Sequence, residues 1–123
     1  MDFGTIQTLK RQEELMGSGL KTNTQFLGYR IMTTVCELRL FSTMHDCTGC
    51  EWVPDQKDIS QFFGRKIVDV FLKTNDGIIT LEELGTYNNV EQVDIITGSG
   101  KLRFTFNSNT CDATCSGVEF YKP

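Results

Sequence analysis

The chain lacks the features that would place it in a membrane or on nucleic acid. Its 123 residues include no run near the ~18 consecutive apolar residues that a membrane-spanning helix needs. Residues 1–16 are mixed polar and charged and lack the apolar core of a secretory signal, so a cytoplasmic protein is expected. No basic run occurs, and the net charge of −4 disfavours general nucleic-acid binding, which requires cations to replace phosphate counterions.

Proline is also scarce, with 2 residues, whereas 39% of the residues are hydrophobic and 9 are Phe. This composition is too apolar for a disordered chain and too polar for a membrane protein. The length predicts one domain, residues 1–123, of the α+β class. We expect residues 1–20 to form an N-terminal helix and loop, and residues 21–123 to form a body of antiparallel hairpins with one short internal helix.

Residues 2–16 have the spacing of a short amphipathic helix. Phe3, Ile6, Leu9 and Met16 fall near one face of such a helix, with charged residues around the rest. Asp2 is suited to cap its first turn, and Gly17-Ser18-Gly19 would end it.

The body of the chain has the alternation that is typical of β-strands. Residues 29–42 alternate but change phase near Val35-Cys36, which predicts a bulge or turn there. Asn75-Asp76-Gly77 and Gly98-Ser99-Gly100 each separate two strand-like runs and predict hairpin turns. Between these parts, residues 55–63 predict a short helix with Asp58 as its cap.

Five cysteines and one histidine form the strongest local pattern, and the odd cysteine count argues against a closed disulfide framework. Two spaced pairs lie in polar stretches and provide the thiolates of a tetrahedral zinc site: Cys47 with Cys50, and Cys111 with Cys115. His45 can replace one of them as a ligand. Such a closed site would be structural. Free thiols and a reversible disulfide are the alternatives, and Cys36, within a strand, is expected in the core.

The residues from Asp76-Gly77 to Glu83 resemble the second half of a calcium-binding EF-hand loop. The first and third ligand positions would be Leu72 and Thr74, which lack the carboxylates that calcium needs there. A hairpin explains the same Asp-Gly pair without a metal.

The stretch from His45-Asp46-Cys47 through Ile59-Ser60-Gln61-Phe62-Phe63-Gly64-Arg65-Lys66-Ile67 resembles a family of small bacteriophage accessory proteins of unknown function. The later strand of residues 102–106 and Val118-Glu119-Phe120 follow the same layout. The resemblance implies a phage or mobile-element accessory protein and implies no known chemistry.

The function expected from the sequence is that of a non-enzymatic binding protein in a host cytoplasm. Its partner would be a host protein or ribonucleoprotein, and inhibition of a bacterial defence system, of the anti-CRISPR kind, is the most concrete version. The alternatives are a module that sequesters a small molecule or nucleotide, and a thiol or zinc protein that uses His45, Cys47 and Cys50. Trp52 and Tyr87 are candidate binding aromatics because aromatic residues are enriched in hot spots, although core packing is the expected role of Trp52.

Overall fold

The computed structural model describes residues 1–15, 25–42, 51–107 and 116–122. These residues form ten strands and one short 3-10 helix. The strands are β1 (Ile6–Leu15), β2 (Gln25–Thr33), β3 (Glu37–Ser42), β4 (Glu51–Pro54), β5 (Ile67–Thr74), β6 (Gly77–Thr80), β7 (Gly85–Asn88), β8 (Val90–Thr97), β9 (Gly100–Asn107) and β10 (Ser116–Tyr121), and the 3-10 helix spans Ile59–Phe62.

The strands form two antiparallel sheets. One has the order β6-β5-β8-β9-β4, and the other has the order β1-β2-β3-β10-β7. A parallel bridge between Leu27 and Glu51 joins β2 to β4, and an antiparallel bridge between Thr5 and Lys66 joins the start of the chain to β5. The sheets are therefore connected at these two bridges.

The core lies between the two sheets, because alternate residues of most strands face inward. Tyr29 of β2 and Phe104 of β9 meet across the sheets, with their ring centroids 4.8 Å apart. Phe3 and Phe120 form a second contact at 5.6 Å. Aromatic pairs at these separations add directional contacts to the burial of apolar area.

The predicted N-terminal helix, and with it the α+β class, is wrong. Residues 6–15 are strand β1, and no helix of seven or more residues occurs in the described chain. Ile6 and Leu9 are three residues apart, which would put them on opposite faces of a regular strand. A β-bulge shifts the register between Ile6 and Thr8, so both side chains face the core. The three-residue spacing of Ile6 and Leu9, which predicts a helix, is therefore also compatible with a strand that contains a bulge.

The predicted turns are confirmed. The phase change near Val35-Cys36 is the tight turn between β2 and β3, where the Thr33 amide donates to the Cys36 carbonyl at 2.9 Å. Asn75-Asp76 joins β5 to β6, and Gly98-Ser99 joins β8 to β9. The segment that resembles a calcium-binding loop, from Asp76-Gly77 to Glu83, therefore begins in the β5–β6 hairpin.

The predicted internal helix is present in a shorter form. Asp58 caps the 3-10 helix by accepting a hydrogen bond from the Ser60 amide at 3.1 Å. Strands β4 and β7 were not anticipated from the sequence. Among the described helical residues, none form a segment long and apolar enough to cross a membrane.

Candidate functional site

The two sheets leave a gap on the side of the molecule where β6 and β7 lie. Within the described chain, β6 pairs with β5 alone and β7 pairs with β10 alone, so each strand has one open edge. A cleft of about 600 Å³ lies between them, lined by residues 74–76, Ile79 and residues 86–89. We call this cleft and the two open edges the seam.

The chain segments next to the seam, after β6 and in β7, are held in place by hydrogen bonds and by packing against the core. After β6 the chain turns inward, the Leu81 amide donates to the Val70 carbonyl at 2.9 Å, and the Leu81 side chain is buried. Tyr87 packs against the core and its hydroxyl donates to the Glu83 carbonyl at 2.5 Å. Asn89 adopts a φ of 60°, at the corner where β7 leads into β8. The candidate binding aromatic Tyr87 therefore lines the seam.

Apolar side chains are exposed along β6. Ile78 is 71% exposed and lies opposite Lys73, on the outer face of its sheet. Ile79 lies opposite the buried Leu72 and so points toward the inner face, at the mouth of the cleft. Both faces of this short strand thus present an isoleucine.

The chain segment that contains β6 and β7 carries only negative charges. Residues 74–100 contain no Lys or Arg and five acidic residues, Asp76, Glu82, Glu83, Glu91 and Asp94. Two of these have basic partners on neighbouring strands: Glu91 lies 3.8 Å from the Lys73 ammonium, and Asp94 binds Arg103. Asp76, Glu82 and Glu83 are exposed. The chain segment that contains β6 and β7 is therefore more acidic than the chain as a whole, and Asp76 lines the cleft itself.

Arg103 and Asp94 form a two-point ion pair across β8 and β9. The guanidinium Nε and Nη2 atoms donate to the two carboxylate oxygens at 2.7 and 3.0 Å. The hydrogen bond and charge of Asp94 raise the pKa of Arg103. Asp94, which lies in an apolar strand, thus has a basic partner.

The predicted metal ligands His45, Cys47, Cys50, Cys111 and Cys115 lie outside the described residues. Their flanking strands are described and lie at one end of the fold. Ser42 pairs with Ser116, and Glu51 pairs with Asn107. The Trp52 indole nitrogen donates to the Phe41 carbonyl at 3.1 Å and so links the two pairs. Among the residues that the structure covers, no three His, Cys, Asp or Glu side chains form a potential metal site.

Trp52 and Cys36 are core residues. Trp52 is 1% exposed and its ring lies 5.3 Å from that of Phe106, so its indole is not accessible to a partner in the folded protein. Cys36 is buried, as the sequence predicts, but it lies in the turn before β3 rather than within a strand, and its thiol donates to the Phe3 carbonyl at 3.3 Å. Burial raises the pKa of this thiol and so favours its protonated form.

Glu37 is a buried charge that the sequence did not reveal. Its side chain is fully buried, and Oε1 accepts a hydrogen bond from the Arg30 guanidinium at 2.8 Å. Its second oxygen, Oε2, has no hydrogen-bond partner among the residues that the structure describes. The pair links β2 to β3, where Glu37 lies opposite Met32.

No family model matches this chain, and neither does any curated protein or solved structure. The candidate site therefore rests on the geometry and charge described above. The sequence did contain one signal for the seam, the absence of basic residues between positions 74 and 100. Its location between two open strand edges depends on the strand order, which local patterns do not encode.

Proposed function

We propose that this protein is a small binding protein that acts by docking on a host macromolecule. The resemblance to phage accessory proteins supports a bacterial host cytoplasm as its place of action. A host protein or ribonucleoprotein is the proposed partner, and inhibition of a bacterial defence system of the anti-CRISPR kind is the proposed outcome.

The edge of β6 that no described strand covers carries this proposal. An exposed apolar edge strand invites association, so proteins usually protect such edges with charged side chains, proline or a covering segment. The sequence of β6, Gly77-Ile78-Ile79-Thr80, contains neither a charge nor a proline. Its isoleucines are exposed on both faces. An edge of this kind is a reason to expect a protein partner.

The test compares two substitutions of exposed apolar strand residues. The tagged protein and its Ile78→Lys and Val68→Lys variants are used to capture components from a bacterial lysate. Val68 is the matched control because it is also exposed, on β5 and outside the seam. We expect a component that binds the purified wild type directly, binds the control equally and is lost with Ile78→Lys. Equal binding by both variants would show that β6 is not the contact.

The anti-CRISPR version has its own assay. The protein is expressed in bacteria whose CRISPR system targets a plaque-forming phage. Restored plaque formation is expected, with the restoration lost for Ile78→Lys and kept for Val68→Lys. Unchanged restriction of the phage by well-expressed wild type would contradict this version.

A second candidate is sequestration of a small molecule or nucleotide in the cleft. Its volume of about 600 Å³ falls in the usual range for ligand sites, and Asn75, Asn88 and Asn89 offer amide groups. The surrounding carboxylates repel phosphate, so an uncharged nucleoside is the better fit. Thermal-shift titrations with nucleosides and nucleotides test this candidate. A shift with nucleotides but not with nucleosides would contradict the charge argument.

We also propose that Cys47, Cys50, Cys111 and Cys115 hold a structural zinc ion, with His45 as a substitute ligand. Support comes from the flanking residues, because Ser116 directly follows Cys115 and Glu51 directly follows Cys50. The hydrogen bond from Trp52 to Phe41 brings the strands that carry these residues together. Both cysteine-bearing segments therefore leave the same end of the fold. Four thiolates at about 2.3 Å would then connect the middle of the chain to its last strand.

Native mass spectrometry of the reduced protein tests the zinc proposal. We expect one zinc per chain, a lower melting temperature after chelation, and loss of the metal in Cys47→Ser and Cys111→Ser. Cys36→Ala is the control, since Cys36 is buried elsewhere and should leave zinc binding unchanged. A stable, reduced, metal-free protein would contradict the proposal. An intact disulfide in protein isolated under alkylating conditions would favour the redox alternative.

A further inference from the structure

The seam is a gap between two strand edges, and one more β-strand in this gap would form hydrogen bonds with these edges. Among the described strands, β6 is an end strand of one sheet and β7 is an end strand of the other, and both have an open edge at the same gap. The main-chain groups along an open edge bind best to another extended segment, because its amides and carbonyls repeat at the same spacing. In a strand added to β6, successive side chains would point to opposite faces of the sheet. One set would contact Ile78 on the outer face, and the other set would lie over Ile79 in the cleft.

The charges near the seam determine whether a positively or a negatively charged segment would be attracted to it. Asp76 borders the cleft at the β5–β6 turn, and Glu82 and Glu83 lie in the connection between β6 and β7. All three are exposed, residues 74–100 contain no Lys or Arg, and the neighbouring Lys73 on β5 lies 3.8 Å from Glu91. A segment with Lys or Arg beside its apolar residues would be attracted, whereas an acidic one would be repelled.

We propose that the seam binds an extended, positively charged segment of the partner protein as an added β-strand. The segment would carry apolar residues at alternate positions and lysine or arginine beside them. This inference rests on the proposed function, since it specifies how the host partner is recognised.

The same charges argue against a second copy of this chain as the occupant. A symmetric contact through β6 would bring Asp76, Glu82 and Glu83 of each copy close to those of the other. Like charges placed together across an interface cost several kcal/mol. The negative charges therefore disfavour self-association through this edge and favour the binding of a positively charged strand.

The test begins with a display library of random dodecapeptides selected on the intact protein. We expect enriched peptides to combine alternating apolar residues with a net positive charge. Their amide cross-peaks and those of residues 77–80 should shift together in NMR titrations. Enrichment of neutral or acidic peptides, or shifts confined to other surfaces, would overturn the proposal.

The charge requirement is tested with the double variant Glu82→Lys/Glu83→Lys. An enriched peptide should bind this variant at least about tenfold more weakly, and its affinity for wild type should fall with added salt. Asp69→Lys is the control, because Asp69 lies on β5 at the end away from the β6 turn. Equal weakening by the control, or none by the double variant, would contradict a seam-specific charge effect.

The two proposals fail in different ways. A captured host component that binds the double variant and wild type equally would overturn the seam proposal and leave the binding function standing. Cationic peptides that bind the seam, without any host component that binds the purified protein, would overturn the function and leave the seam as a peptide site.

Discussion

Trp52 is predicted to hold the two sheets together, and its substitution by phenylalanine measures this role. Trp52→Phe removes the indole hydrogen bond to the Phe41 carbonyl, which joins β4 to β3. Loss of this partly buried hydrogen bond costs about 1–2 kcal/mol, and the smaller ring leaves part of its site unfilled, at about 1 kcal/mol more. We expect the free energy of unfolding to fall by about 2–3 kcal/mol, a large fraction of the ~5–15 kcal/mol of a typical domain.

The assay is urea unfolding followed by far-ultraviolet circular dichroism, because Trp52 is the one tryptophan and its removal abolishes that fluorescence signal. With a slope of about 1–3 kcal/mol per molar urea, the midpoint should fall by about 0.7–3 M. Val53→Thr is the control, since the neighbouring Val53 is less buried and has no hydrogen bond from its side chain. If Trp52→Phe costs no more than this control, the indole does not link the sheets. Peptide or partner binding should survive Trp52→Phe in conditions where the variant is folded.

Three further predictions concern stability. Gly4→Ala should lower the free energy of unfolding by about 2–4 kcal/mol, because the φ of Gly4 is +78° and the added Cβ would lie 2.5 Å from Thr34 Oγ1. The control is Gly98→Ala, whose added Cβ meets open space and should change the urea midpoint little. Arg30→Met leaves the Glu37 carboxylate buried without its partner and should cost about 2–3 kcal/mol, moderated because Arg30 is 43% exposed. Replacing both residues with Arg30→Met/Glu37→Leu should restore much of that loss, and an additive result in this double-mutant cycle would refute the coupling. Finally, burial raises the pKa of Cys36 and Tyr29 from their ordinary values of 9.0 and 10.0, so unfolding releases protons in alkali. Stability should be fully retained below about pH 9 and fall as the pH rises further, with a smaller fall in Cys36→Ala; a flat urea midpoint across this range would contradict it.

The parts of the fold that were predicted correctly depend on neighbouring residues. Asn75-Asp76-Gly77 and Gly98-Ser99-Gly100 form their turns because turn geometry is encoded by the residues that occupy it. In both turns a threonine hydroxyl, from Thr74 or Thr97, donates to the carbonyl of the glycine three residues later. Asp58 likewise caps its helix through a contact with Ser60, two residues away.

The N-terminal segment shows where local patterns mislead. The spacing of Ile6 and Leu9 fits a helix, and nothing in residues 1–15 reveals the bulge that makes the same spacing fit a strand. That bulge lies in the pairing of β1 with β2, which extends along almost the whole of β1 through contacts with residues 25–33. The pairing energy comes from residues distant in sequence, which a helical periodicity does not take into account.

The sequence by itself determined the hairpin turns, the buried position of Cys36, the negative charge and the two spaced cysteine pairs. These are properties of composition and short-range geometry. The tertiary structure decided which edges stay open, that β6 and β7 face one cleft, and that the strands flanking both cysteine pairs lie at one end of the fold. Strand order is set by which apolar faces pack together across the whole chain, so the seam and its acidic border become a site only once all ten strands are paired.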